Sequence, residues 1–201
     1  MKYNSIIKNT FIYLFLTVTF LLIHELAHCI TAIIFGGEFR GIWLTSFVGF
    51  GKKSNKVSTF SVYAYTNYNN SILCYRCVKI AGSLTAILSA SVVNYISKKK
   101  KNITVFLTTS NVIIYEVFYW AVSPLLKFGD AYQLLQSLKI TNFIAILLFS
   151  LIFFLILTWI SISLTSTLIK LLDSSYGKFN TYNPEKTKKL RENLKDRAYL
   201  L

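Results

Sequence analysis

Four long apolar stretches dominate this chain of 201 residues and leave it few ways to fold. Thr10 to Phe35 is interrupted only by His24, Glu25 and His28. Val78 to Ile96 is mildly spoiled by Lys79 and Asn94, and Ile103 to Leu126 holds Asn111 and Glu116. Asn142 to Ile169 contains no charge. Each approaches or exceeds the roughly 20 residues that an α-helix needs to cross a bilayer. The expected fold is therefore an all-α multi-pass membrane protein with about four transmembrane helices. A soluble bundle is a poor alternative, because four segments apolar on every side leave too little polar surface. Apolar residues make up 54% of the chain and charged ones 15%, against about 25% charged in ordinary soluble domains. That balance also excludes a disordered chain. The first stretch is longer than a signal peptide's apolar region and no small-residue cleavage site follows it, so it reads as a retained helix.

The formal charge is +14. Most cations fall at the ends of the apolar stretches rather than on one folded face, which argues for anionic lipid and topology and against nucleic acid. One side would hold Lys2, Lys8, Lys98 to Lys101 and the tail cations. The other would hold Arg40, Lys52, Lys53, Lys56, Arg76, Lys79, Lys127 and Lys139. The first set is denser, and the positive-inside rule puts both termini in the cytoplasm of a cell membrane. The partners expected are the lipid bilayer and a membrane protein substrate.

Residues 1–172 are read as the transmembrane core and 173–201 as a basic C-terminal tail. Gly36 and Gly37 end the first helix. Between about 38 and 70 the chain turns to β-branched and aromatic residues around the polar stretch Gly51-Lys52-Lys53-Ser54-Asn55-Lys56. That pattern predicts a β-hairpin, and its aromatics suit a membrane–water interface. In the tail, Asn183-Pro184 would start a short surface helix. Cys29 reads as a buried small residue, and Cys74 and Cys77 form a lone CxxC just before the second helix, a weak metal or redox signal.

The chemistry lies in His24-Glu25-Leu26-Ala27-His28, an HExxH sequence. Residues four apart share a helix face, so both imidazoles can reach one Zn²⁺. Glu25, turned roughly 100° from His24, can reach a water on that ion without ligating it. The chain has only two histidines, and both fall in the motif. Chance placement of this pattern is on the order of 1 in 4,000. Ionisable side chains within a bilayer are expensive and mark function. A catalytic zinc wants a third protein ligand and an open position. Two acids are candidates. Glu116 lies at a depth in the third apolar stretch similar to that of the histidines. Asp130 follows Pro124, which can end the helix and let an extended stretch fold back. Asp130 and Gln133 also have capping-box spacing. The residues alone leave the two acids even.

HELAH in an N-terminal apolar segment followed by Gly36-Gly37 resembles the site-2 protease family of intramembrane zinc metalloproteases. Gly49-Phe50-Gly51 resembles that family's membrane-associated hairpin, and Ala81-Gly82-Ser83 stands where a small-residue element opens its next helix. Pro124 and Asp130 match the outline of the family's N-x-x-P-x-x-x-x-D-G element, with Ala121 in place of the Asn and Gly129 before the Asp. The resemblance spans roughly residues 7 to 140. It implies a metalloprotease, a hydrolase of peptide bonds in membrane-embedded substrates. It further implies Zn²⁺ held by His24, His28 and Asp130, with Glu25 as the catalytic base. Asn111, Tyr115 and Tyr119 are candidates for stabilising the oxyanion. Two other readings compete. A CAAX-processing or heat-shock type of membrane zinc protease would use Glu116 as the ligand. A non-catalytic protein would hold zinc structurally.

Overall fold

The computed structural model describes residues 2–43, 49–51, 63–67 and 71–176. Helix α1 covers Lys2–Ile34, α2 covers Ile72–Lys99, α3 covers Ile103–Val122 and α5 covers Phe143–Tyr176. These four are long and apolar enough to cross a membrane. A nine-residue helix, α4 (Gly129–Ser137), lies between α3 and α5. Strands β1 (Glu38–Trp43), β2 (Gly49–Gly51) and β3 (Tyr63–Asn67) follow α1. Of the expected Gly51–Lys56 turn, Gly51 ends β2 and residues 52–56 lie outside the described residues, as does the Asn183-Pro184 helix start.

Where a hairpin is expected, the strands form a three-stranded antiparallel sheet in the order β2-β1-β3. β1 pairs with both neighbours, with Ile42 opposite Phe50 on one side and Ala64 on the other. Gly36 adopts φ +78° and ends α1, while the Gly37 N–H returns to the Ala32 carbonyl at 2.7 Å. A side chain at Gly37 would collide with the Asn67 carbonyl of β3. The turn is thus glycine-specific, and it fixes the sheet against the end of α1.

The bundle packs through small residues. Gly82, Ser83, Ala86, Ala90, Asn94 and Ser97 form the buried stripe of α2. Between apolar helices in lipid, such residues let backbones approach and gain dispersion contacts. Asn94 adds a polar lock, donating to the Phe106 carbonyl (3.1 Å) and to the hydroxyls of Thr109 and Ser110 (2.9 Å each). Ser71 caps α2 by accepting from the Cys74 N–H, and Asn102 caps α3 by accepting from the Val105 N–H. On the far side, Trp120 of α3 stacks on Phe153 of α5 with ring centres 5.6 Å apart, and Phe149 lies beside both. The outward faces carry bare hydrocarbon: Phe11, Phe15 and Ile30 on α1, Leu148, Leu155 and Trp159 on α5. Exposed apolar area on this scale is consistent with a membrane protein.

The chain between α3 and α4 decides where Asp130 goes. Pro124 is fully buried, and the segment 123–127 coils as successive turns rather than the extended return expected from the proline. Lys127 (φ +58°) and Gly129 (φ +74°) both adopt left-handed backbone and reverse the path. A side chain at position 129 would overlap the Tyr119 hydroxyl, so glycine is required there on two counts.

The Asn94 lock predicts a measurable cost. Asn94→Ala should lower the unfolding free energy in detergent by about 1 kcal/mol. Equilibrium unfolding of the purified protein measures it, and an unchanged midpoint would show that these hydrogen bonds contribute nothing.

Candidate metal centre

His24 and His28 sit one helical turn apart on α1 and face inward, both buried. Each ring is tied through Nδ1 to a different helix. His24 Nδ1 lies 2.9 Å from Glu116 Oε1 on α3, and His28 Nδ1 lies 2.6 Å from the Val78 carbonyl on α2. A carbonyl oxygen only accepts, so the His28 Nδ1 must carry the proton, and an ionised Glu116 sets the same tautomer on His24. Both Nε2 atoms then present lone pairs to the same point.

Asp130 meets them there. Its Oδ2 lies 3.3 Å from His28 Nε2 and 3.8 Å from His24 Nε2. All three ligand atoms lie within 4.8 Å of one another. Ligands about 2.05 Å from a tetrahedral ion stand roughly 3.3 Å apart; the Asp130–His28 separation equals that spacing and the Asp130–His24 separation is 0.5 Å wider. His24, His28 and Asp130 can hold a metal ion. Gly82 faces this point from α2. A Cβ built there would come within 2.5 Å of His28 Nε2 and 2.6 Å of His24 Nε2. The absence of a side chain at position 82 makes the room in which the donor atoms converge.

Asp130 is not the N-cap that its spacing to Gln133 suggests. Phe128 occupies the cap position without a side-chain bond, and Asp130 is already helical. Tyr119 supplies the missing cap, its hydroxyl accepting the Asp130 N–H at 2.9 Å. The Asp130 side chain is thereby released to the site. Its other oxygen, Oδ1, accepts from Lys79 Nζ at 3.1 Å. Burial by itself would raise the Asp130 pKa. The charge of Lys79 acts against burial and favours the carboxylate.

Glu116 is brought to the site but not as one of the converging donors. It sits behind His24 and orients it, with Oε2 buried and lacking a hydrogen-bond partner among the described residues. Such carboxylate–histidine contacts commonly stand behind metal-bound imidazoles. Glu25 is half-buried on α1 beside His24. Of the oxyanion candidates, Asn111 and Tyr115 are exposed and line a cleft of about 530 Å³ between α1 and α3, which Glu116 also lines. Tyr119 instead supports α4. The CxxC lies inside the first turns of α2 rather than before it, and Cys74 is buried against the Ala32 carbonyl. Neither cysteine joins a ligand cluster among the described residues.

Sequence reasoning missed Lys79, which it treated as a topological charge. Its position inside an apolar run was the available signal, the same cost argument that singled out the histidines. Comparison with family models, with curated proteins and with solved structures finds no match.

Asp130 and Glu116 can be separated by metal analysis of the purified protein. Asp130→Ala should abolish stoichiometric divalent metal, whereas Glu116→Ala should weaken its affinity by roughly 10–100-fold. Retention by Asp130→Ala with loss in Glu116→Ala would reverse the two roles.

Proposed function

We propose that this protein is a zinc-dependent intramembrane endopeptidase of the site-2 protease type. The observation that carries the proposal is the convergence of both HExxH imidazoles, each held at Nδ1 by a neighbouring helix, on one carboxylate across a space kept open by Gly82. With both Nε2 atoms unprotonated, three electron-rich atoms this close repel unless a cation lies between them. Neutral imidazoles and a carboxylate suit zinc, and two nitrogens with one oxygen leave a position for solvent. Formal charges agree: Glu25, Asp130, Glu116 and Lys79 together sum to −2, which a divalent ion brings to zero. In an apolar bundle that balance matters.

Zinc, when bound, supplies Lewis acidity and lowers the pKa of a coordinated water. The rest falls to the protein. Glu25 follows His24 on α1 and is the base that takes the water's proton as its oxygen adds to the peptide carbonyl carbon. Glu25 then delivers that proton to the nitrogen as the C–N bond breaks, so it ends the cycle as it began. Glu116 and the Val78 carbonyl keep the two rings from rotating away, which preserves the reacting geometry.

A peptide must be extended to expose its carbonyls. Among the described residues, β2 and β3 are the outer strands of a sheet that stands beside the end of α1. An unwound substrate segment added to one of these edges would gain main-chain hydrogen bonds close to the site. We assign the basic end, with Lys98–Lys101 and the first turns of α1, to the cytoplasm of a cell membrane. The site then lies in the opposite half of the bundle, because His24 and His28 are near the C-terminal end of α1.

The decisive variant is Glu25→Gln, assayed with the detergent-solubilised protein on an unfolded protein such as casein and on transmembrane peptides. It should bind zinc as the parent does and cleave at least 100-fold more slowly. Equal cleavage by the parent and Glu25→Gln would contradict the proposed base. Zinc-loaded parent protein that cleaves none of these substrates, in vesicles as in detergent, would favour a non-catalytic metal protein.

A further inference from the structure

Three side chains of α2 grip α4 in register. Tyr75 Oη donates to Gln133 Oε1 (3.3 Å), Arg76 donates to the Ser137 hydroxyl (3.2 Å) and carbonyl (2.5 Å), and Lys79 donates to Asp130 Oδ1 (3.1 Å). Residues 75, 76 and 79 share one face of α2, and 130, 133 and 137 share one face of α4. Tyr75 and Arg76 already dock the helix, so Lys79 is not needed for that alone. The Lys79 and Asp130 side chains are only 13% and 14% exposed, and the Lys79 ammonium stands 5.5 Å from the centre of the Tyr75 ring. A charge inside an apolar bundle is costly and calls for a specific use.

The use is visible in which oxygen it takes. A carboxylate can offer an ion one oxygen or both. Lys79 occupies Oδ1, while Oδ2 faces the two imidazoles. We propose that Lys79 is a positioning residue that holds Asp130 as a one-oxygen ligand and so keeps one coordination position open for water. This rests on the metal-site reading above. Without the ammonium, Oδ1 is free to swing onto the ion, fill the open position and change its coordination number. Asp130 would also lose the partner that fixes its rotamer, so the ligand set becomes less preorganised.

The test uses the full chain in detergent, with Co²⁺ as a spectroscopic probe and Zn²⁺ competition for affinity. The parent should show the intense visible bands of four-coordinate cobalt. Lys79→Met should show weaker bands typical of higher coordination, with zinc affinity reduced about 10-fold or more. Lys79→Arg, which keeps the charge and a donor, should return toward the parent spectrum. Arg76→Gln, which loosens α4 without touching Asp130, should lower the melting temperature and leave the spectrum unchanged. A Lys79→Met spectrum and affinity equal to the parent's overturn the proposal and leave the metal site standing. Equal loss in Lys79→Met and Arg76→Gln overturns it too, by reducing Lys79 to a docking contact. A parent that binds neither ion removes the metal-site reading itself.

Discussion

Two histidine rings, each pinned at Nδ1 by a different neighbouring helix, hold this structure's functional logic together. Glu116 on α3 fixes His24, and the Val78 carbonyl on α2 fixes His28. One consequence is chemical, since both Nε2 lone pairs must face inward. The other is architectural, since α1 cannot rotate or slide against α2 and α3 without breaking one of the two bonds. The site and the bundle are therefore specified by the same contacts. Small residues on α2 allow this closeness, and Gly82 does so at the one point where any side chain would fill the donor pocket.

Asp130 reaches the pocket by a different route. It belongs not to one of the four long apolar helices but to the short α4, which the chain reaches by way of buried Pro124 and left-handed Lys127 and Gly129. Tyr119 closes the cap of α4, and the α2 side chains hold the helix down. Irregular backbone near an apolar core is tolerable where its polar groups find such partners. A carboxylate delivered this way can be aimed with a freedom that a residue fixed on a long helix lacks.

Much of this was legible in the sequence, and the exceptions share a cause. The four long apolar helices follow from apolar length, and the imidazole pair follows from a four-residue spacing on one helix, because both are local properties. The family resemblance favoured Asp130 over Glu116, and the donor cluster includes Asp130. What the sequence could not convey was which groups stand behind others. Glu116 has the depth and the charge of a ligand, and only the packing of α3 on α1 places it at the rear of His24. Asp130 has the spacing of a helix cap, and only the approach of Tyr119 frees it. Lys79 gives no local signal of its partner, fifty-one residues away. The third strand likewise depends on pairing across the sheet rather than on the pattern of any one segment.

His24, His28 and Asp130 would share one ion through two nitrogens and a single oxygen. X-ray absorption at the zinc edge on the purified, zinc-loaded protein measures that directly. The expected result is a four-coordinate shell of nitrogen and oxygen near 2.0–2.1 Å with the outer-shell scattering of two imidazoles. A shell with sulfur at about 2.3 Å, or one without imidazole scattering, would contradict it.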